Sequence, residues 1–491
     1  MRNTMLESDR SVGGGRLLDA PFFAGLRSVA TAAAATFDVK SPIDGHVVAS
    51  VPDCGADEAR QALDRSAKAF DAWKRTTAYE RAAVMKKWHA LIQANEPVLA
   101  ELMSVEMGKP VTESIGEVRY GAAFVEWYAE EAKRIAGETI ESQFTHKRLH
   151  AIKQPSGIVY AITPWNFPIA TVTRKIAPAL AAGCVVIVKP AEQTPLSALA
   201  LLKLWREAGG PTDVFQVLTA LDPRPMSGVL LDDLRVRVLT FTGSTPVGVH
   251  LYERSAKTMK RLSLELGGHA PFLIFEDANL DSAIKEVMSC KFRNGGQTCV
   301  CTNRIYVHSS IATAFTERLT AAVSGLKVGD PLDPSVQIGP MVDQAGMAKI
   351  AEHMDDALQL GAKVLTGGKA ISGLYFQPTV VTNIRPEMKM MHEETFGPVA
   401  PILTFNDQDE ALRLANGSPF GLAAYLWTAD LRRAYQVSEA LEFGIIGIND
   451  GVPSTAQAPF GGVKMSGLGR EGGHWGIDEF LDIKYMSIGL A

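Results

Sequence analysis

Three observations predict an α/β protein of more than one domain. The chain has 491 residues, 46% of them hydrophobic and 21% charged, which is enough to bury a large core and too long for one ordinary domain. From residue 157 short β-rich runs alternate with helical ones, the pattern of βαβ units around a parallel sheet. A second alternation begins at 271, so a second α/β domain is expected to follow the first.

The elements follow in chain order. Residues 1–36 mix Arg2, Glu7, Asp9 and Arg10 with glycines at 13–15 and alanine-rich sequence at 30–35. They are expected to be a lead-in, with no apolar run long enough for a signal-peptide core or a membrane span. From about 57 to 140 apolar residues recur at three- and four-residue steps, which predicts covering helices. The runs GIVYAI (157–162), VVIVK (185–189), VFQVLT (214–219) and VRVLTF (236–241) read as strands, with helices through 174–183, through 197–210 and after 243–248. That is the dinucleotide-binding architecture. In the second set PFLIF (271–275), RIYVHSS (304–310), KVLTGG (363–368), PTVVT (378–382) and APILTF (400–405) read as strands, with helices such as 311–326 between them. The glycine-rich stretch 461–476 leads to the apolar alternation of 478–490, which suits an edge strand able to pair with another subunit.

A net charge of −5, with 49 basic and 54 acidic residues scattered along the chain, gives no concentrated basic face, so neither a nucleic acid nor a membrane is an expected partner. Cys54, Cys184, Cys290, Cys299 and Cys301 form no C-x-x-C pair, so no metal site is expected and a reducing, cytoplasmic setting fits best.

Cys299 follows N-G-G-Q-T, a polar loop suited to a nucleophilic thiolate; a small buried hydrophobe is the alternative. Asn166 in W-N-F-P is compatible with plain turn chemistry or with an amide donor. Glu265 on an apolar L-E-L segment is either a solvent-facing strand end or a half-buried base with a raised pKa. No G-x-G-x-x-G follows a strand; F-T-G-S-T-P-V-G at 241–248 turns from strand to helix instead, offering Gly243, Ser244 and a helix N-terminus to a pyrophosphate. Lys189 and Glu192 end a strand where parallel sheets present ligands, or form a surface pair worth under about 1 kcal/mol. Arg293 and Arg174 could each be a solvated helix-end cation.

Several motifs bear on these alternatives together: T-P-W-N-F-P at 163–168, K-P-A-E-Q-T-P at 189–195, F-T-G-S at 241–244, L-E-L-G-G at 264–268, G-Q-T-C at 296–299, E-T-F-G-P at 394–398 and P-F-G-G at 459–462. In this order the chain resembles the aldehyde dehydrogenase superfamily from about Pro42 to its end. The runs at 124–134, 291–301, 466–472 and 483–490 resemble its succinate-semialdehyde dehydrogenase branch. The resemblance implies a Rossmann-like NAD-binding domain at 37–138 and 158–266, a catalytic domain at 267–465 and a return to the first domain at 466–480. It further implies a small β oligomerisation extension at 139–157 and 481–491, through which dimers pair into tetramers.

It also implies the chemistry. Cys299 attacks the aldehyde carbon, Asn166 and the Cys299 N–H hold the oxyanion, and Glu265 activates the water that hydrolyses the thioester. That base is not expected in the CoA-acylating branch. Thr163, Pro164, Trp165, Lys189, Glu192, Gly243, Ser244, Glu394 and Phe396 are implied at the cofactor, with Glu394 on the nicotinamide ribose. The Glu192 carboxylate suits a free 2′-hydroxyl and repels a 2′-phosphate, so NAD is expected ahead of NADP. Arg174, Arg293 and Ser454 are implied to hold a distal carboxylate. The expected reaction is oxidation of a small anionic aldehyde, succinate semialdehyde to succinate first. Pro453, Thr455, Gln457 and His269 depart from the branch near the expected substrate mouth, which keeps sulfolactaldehyde and glutarate semialdehyde as alternatives. A structural protein that kept this fold would not need Cys299, Glu265 and Asn166 together. Cys301, two residues on in a segment read as extended, should face away from the reacting carbon; in some members of the branch the matching cysteine forms a disulfide with the nucleophile under oxidation, which would require the loop to move.

Overall fold

The computed structural model describes Phe22, residues 26–29 and residues 31–490. Of the expected lead-in, residues 1–21, 23–25 and 30 lie outside the described residues, as does Ala491. Val185–Lys189 is buried at every position, as β-branched runs covered on both faces must be. Among the described residues it belongs to a six-stranded sheet in the order Gly467–Leu468, Arg261–Glu265, Val236–Thr242, Ile158–Ile162, Val185–Lys189, Phe215–Val217. All neighbours are parallel except the first pair. The chain runs outward from Ile158–Ile162 to one edge and then returns to build the other side from Val236–Thr242. The strand order therefore reverses between those two strands, which opens a crevice at their carboxyl ends.

Four helices, Ala56–Trp73, Ala78–Ala94, Glu96–Met107 and Val111–Glu131, precede this sheet. They bring Trp73 and Trp88 edge-on to Trp205, with centroids 6.0 and 5.5 Å apart. Helix Ala170–Ala182 is buried along its whole length. Val111–Glu131 approaches it closely at Gly121, where a Cβ would lie 2.8 Å from Ile169.

The second sheet has seven strands in the order Lys363–Thr366, Thr379–Thr382, Val399–Phe405, Thr302–His308, Ala270–Ile274, Ala423–Trp427, Ile445–Ile448, antiparallel only at the first pair. Its last two strands lie beyond the expected runs; alanines in one and a central glycine in the other weaken their strand signal. After this sheet the chain returns: Gly467–Leu468 pairs antiparallel with Arg261–Glu265, and the Leu266 N–H donates to the Ser466 carbonyl at 2.9 Å. Finally Leu481–Gly489 pairs with Lys147–Pro155, which carries Glu138–Ile140 on its other side. The terminal strand is thus an edge, with Ile483 and Tyr485 exposed. Among the described residues no helix is long and apolar enough to cross a membrane.

Candidate active site

A cavity of about 750 Å³ opens where the first sheet reverses. The first sheet sends Pro164, Trp165 and Asn166 to its wall from the end of Ile158–Ile162, and Gly243 and Ser244 from the end of Val236–Thr242; the second half contributes Cys299, Glu394 and Phe396. Trp165 and Phe396 meet edge to face at 5.5 Å. Phe396 has a left-handed φ of 54°, a conformation a bulky residue holds only when its surroundings enforce it. Ser244 starts helix Thr245–Ala256 without a side-chain cap bond, which leaves a helix N-terminus facing the cavity, the setting an anionic pyrophosphate requires. Thr163, Lys189 and Glu192 are not on the wall. They cluster at the neighbouring strand ends, the Thr163 N–H donating to the Lys189 carbonyl at 3.1 Å and Lys189 Nζ to Glu192 at 2.9 Å.

Asn294, Gly295 and Gly296, at φ 52°, 60° and 78°, bend the chain after helix Leu280–Lys291. Cys299 then sits in a turn closed by the Cys301 N–H on the Thr298 carbonyl at 3.0 Å. A Cβ at Gly268 would lie 2.4 Å from the Cys299 carbonyl oxygen, so the second glycine of L-E-L-G-G is what lets that turn dock. Burial pushes the half-buried Cys299 thiol up to about 12, with Arg174 opposing and Glu394 and Glu265 adding to the shift. At neutral pH the resting thiol is protonated. Asn166 is buried and donates one amide N–H to the Gln297 carbonyl at 3.0 Å.

Glu265, the last residue of its strand, is buried with neither carboxylate oxygen hydrogen-bonded. It lies behind the cavity wall, close enough to Gly461 that a Cβ there would be 2.9 Å from Oε1. Burial first, then the nearby Glu471, raises its pKa well above the carboxylate range. Glu471 is also buried, but Lys175 and Arg174 overcome that burial and keep its pKa low. Of the two carboxyls, burial thus favours the neutral form of Glu265 more than that of Glu471. Burial lifts Glu394 to about 8, and it accepts a long bond from the Gly268 N–H at 3.4 Å.

Arg174, Arg293 and Ser454 all line the cavity. Arg174 is not a solvated helix-end cation: its Nε lies 2.5 Å from Glu471 Oε2, and its guanidinium stacks 4.0 Å from the Phe460 centroid. Glu471 is close because the late strand Gly467–Leu468 returns to the first sheet, a placement no local pattern reveals. Arg293 differs from a solvated helix-end cation. Its Nε is buried without an acceptor, and its guanidinium lies 5.5 Å from the Phe167 centroid. Glu113 shares that wall but accepts the Asn294 N–H at 2.7 Å.

Cys301 is buried off the cavity wall and accepts a bond from Lys291 Nζ at 3.4 Å. It is reached through a turn and not the extended segment expected. Of the departures, Pro453, Thr455 and Gln457 flank Ser454 without lining the cavity, and His269 is buried behind it, where burial keeps its ring neutral. Lys109, Tyr120 and Lys349 also line the wall; for Lys109 and Tyr120 helical periodicity predicts only cover, and the segment of Lys349 carries no motif. Among the described residues no group of side chains could hold a metal ion.

The model of the aldehyde dehydrogenase family matches residues 29–486. The chain is 51% identical over 455 residues to the NADP(+) succinate-semialdehyde dehydrogenase of Escherichia coli K12, covering 92% of this chain and 94% of that protein. It is 49% identical to the 3-sulfolactaldehyde dehydrogenase of Pseudomonas putida, covering 92% and 94%. It is also 49% identical to the glutarate-semialdehyde dehydrogenase of P. putida KT2440, covering 93% and 95%. Among solved structures, the succinate-semialdehyde dehydrogenase of Burkholderia pseudomallei superposes with a TM-score of 0.92 at 48% identity, covering 93% of this chain and 95% of that one. Betaine aldehyde dehydrogenase of Staphylococcus aureus, in complex with NAD+, superposes at 0.90 with 33% identity, covering 93% and 92%.

Proposed function

Since the chain belongs to the aldehyde dehydrogenase family and is an oxidoreductase acting on aldehydes with a pyridine nucleotide, we propose that its substrate is succinate semialdehyde and its preferred cofactor NAD. The observation that carries the substrate reading is Arg293: a half-buried arginine on the cavity wall whose buried Nε has no acceptor. An anionic tail supplies one, and a planar carboxylate suits its forked donors. Ser454 adds a hydroxyl on the same wall.

Cys299 attacks the carbonyl carbon, and Glu265 takes the thiol proton through a water or by swinging toward it, since burial leaves its carboxyl a poor anion and a good proton acceptor once ionised. The resulting oxyanion is held by the second N–H of the Asn166 amide and by the backbone N–H of Cys299. A bound pyridine nucleotide supplies the hydride acceptor that makes a thioester possible. Gly243, Ser244 and the uncapped helix start would hold its pyrophosphate, Glu394 a ribose, and Lys189 and Glu192 the adenine ribose. Glu265 releases the first proton to solvent, then draws a proton from the water that cleaves the thioester and passes it to the departing sulfur, so that Cys299 leaves as the thiol. NAD over NADP rests on the Glu192 carboxylate, which would repel a 2′-phosphate. We further read residues 37–138 and 158–266 as the cofactor domain and 267–465 as the catalytic domain, with 466–480 returning to the former. The extension expected at 139–157 and 481–491, which includes the paired strands Lys147–Pro155 and Leu481–Gly489, would be the contact between copies in a dimer or tetramer.

The relatives named above are nearly equal in identity, so the tail is decided by kinetics. Values of kcat/KM are to be compared for succinate semialdehyde, glutarate semialdehyde, sulfolactaldehyde and butanal, each with NAD and NADP. Succinate semialdehyde with NAD is expected to be highest. A higher value for sulfolactaldehyde or glutarate semialdehyde reassigns the tail, and butanal equal to the anionic aldehydes overturns the role of Arg293.

A further inference from the structure

Lys109 lies on the cavity wall, yet its ammonium is engaged by the protein itself. It is 2% exposed, and a lysine ammonium has three N–H donors. One pairs with the Glu117 carboxylate, a second donates to the Asn166 carbonyl at 2.7 Å, and the ammonium rests over the Phe167 ring, 4.0 Å from its centroid. The other oxygen of Glu117 accepts the Ile169 and Ala170 N–H groups at 2.9 and 3.1 Å. It thereby ties the pair to the start of helix Ala170–Ala182, which carries Arg174.

A buried ion pair is a poor stability device, because each ion loses several kcal/mol of hydration and apolar residues of similar volume often serve as well. The position of this one suggests a different use. The Asn166 carbonyl accepts both the Lys109 ammonium and Asn294 Nδ2, the latter at 3.0 Å, while its own side chain donates to the Gln297 carbonyl at 3.0 Å. One amide N–H is thus occupied. The direction of the other is set by a peptide held from behind by two donors, one of them charged.

We propose that Lys109, paired with Glu117, is a positioning residue that aims the Asn166 amide at the developing oxyanion. The inference rests on the reading of Asn166 as oxyanion donor. A donor misplaced by about 1 Å can cost about 100-fold in rate, so the contribution of Lys109 belongs in kcat and not in substrate affinity.

The test is a double-mutant cycle in the full-length chain. Lys109→Met keeps the apolar stem and removes the donor; Glu117→Gln, made with it, leaves no bare carboxylate and can still accept the helix N–H groups. The pair of substitutions is expected to lower kcat by about 10- to 100-fold while KM for aldehyde and NAD stays within about threefold. In an Asn166→Ala background the same pair should change kcat by less than about twofold, because the group it positions is gone. Wild-type kcat in the paired variant, or losses that multiply with that of Asn166→Ala, would overturn the proposal. Full kcat in Asn166→Ala alone would instead remove the oxyanion reading beneath it. If the paired variant does not fold, Glu117→Gln alone, which loosens the ammonium, enters the same cycle and is judged by the same outcomes.

Discussion

At Arg293 the guanidinium meets the cavity with its Nε unsatisfied, so truncation removes a charge-assisted bond to an anionic tail. Arg293→Ala is expected to lower kcat/KM for succinate semialdehyde by about 10- to 100-fold, the worth of roughly 1.5–3 kcal/mol. Butanal should be turned over as before. Equal losses on both substrates, measured by steady-state kinetics, would make the residue structural. The burial of Glu265 bears on pH: a base whose carboxyl pKa is raised is protonated and idle at low pH, so kcat should climb with pH as that proton leaves. Glu265→Gln should lose both the rate and that limb, and a surviving limb would point to another base. Asn166→Ala should cost about 100- to 1000-fold in kcat. Cys299, Asn166 and Glu265 were legible because each stands in a short motif. Glu471 and Lys175 were not, because a buried charge is recognised by its partner and these two come from distant parts of the chain, 296 positions apart.

Helix Pro195–Glu207 shows the same dependence among elements. Thr194 at its start makes no side-chain cap bond. Instead Glu106, at the end of helix Glu96–Met107, accepts the Leu196 and Ser197 N–H groups, each at 2.9 Å. Glu106→Ala would strand those buried donors, so it should destabilise by about 1–3 kcal/mol, read by calorimetry as a lower melting temperature. An unchanged melting temperature would mean that water replaces the cap. On the cofactor side, Glu192→Ser removes the carboxylate paired with Lys189 and should raise kcat/KM for NADP relative to NAD by about tenfold or more. Strand and helix positions were largely readable from apolar runs: the expected 185–189 and 236–241 correspond to Val185–Lys189 and Val236–Thr242. Sheet order was not, since strand pairing over long separations leaves no local period.

For the whole molecule, the exposed edge strand Leu481–Gly489 is expected to hold copies together. Replacing Ile483 and Tyr485 by lysine should shift sedimentation toward a smaller species, and an unchanged assembly would place the contact elsewhere. The late return of Gly467–Leu468 to Arg261–Glu265 has a consequence for biosynthesis. As the nascent chain leaves the ribosome, the first sheet emerges early but lacks its closing strand, and Arg174 and Lys175 lack Glu471, until the second sheet has been made. The half that would hold the cofactor therefore matures last. A chain stopped after Met465 should keep that half open to protease, while release of the remaining residues should close it.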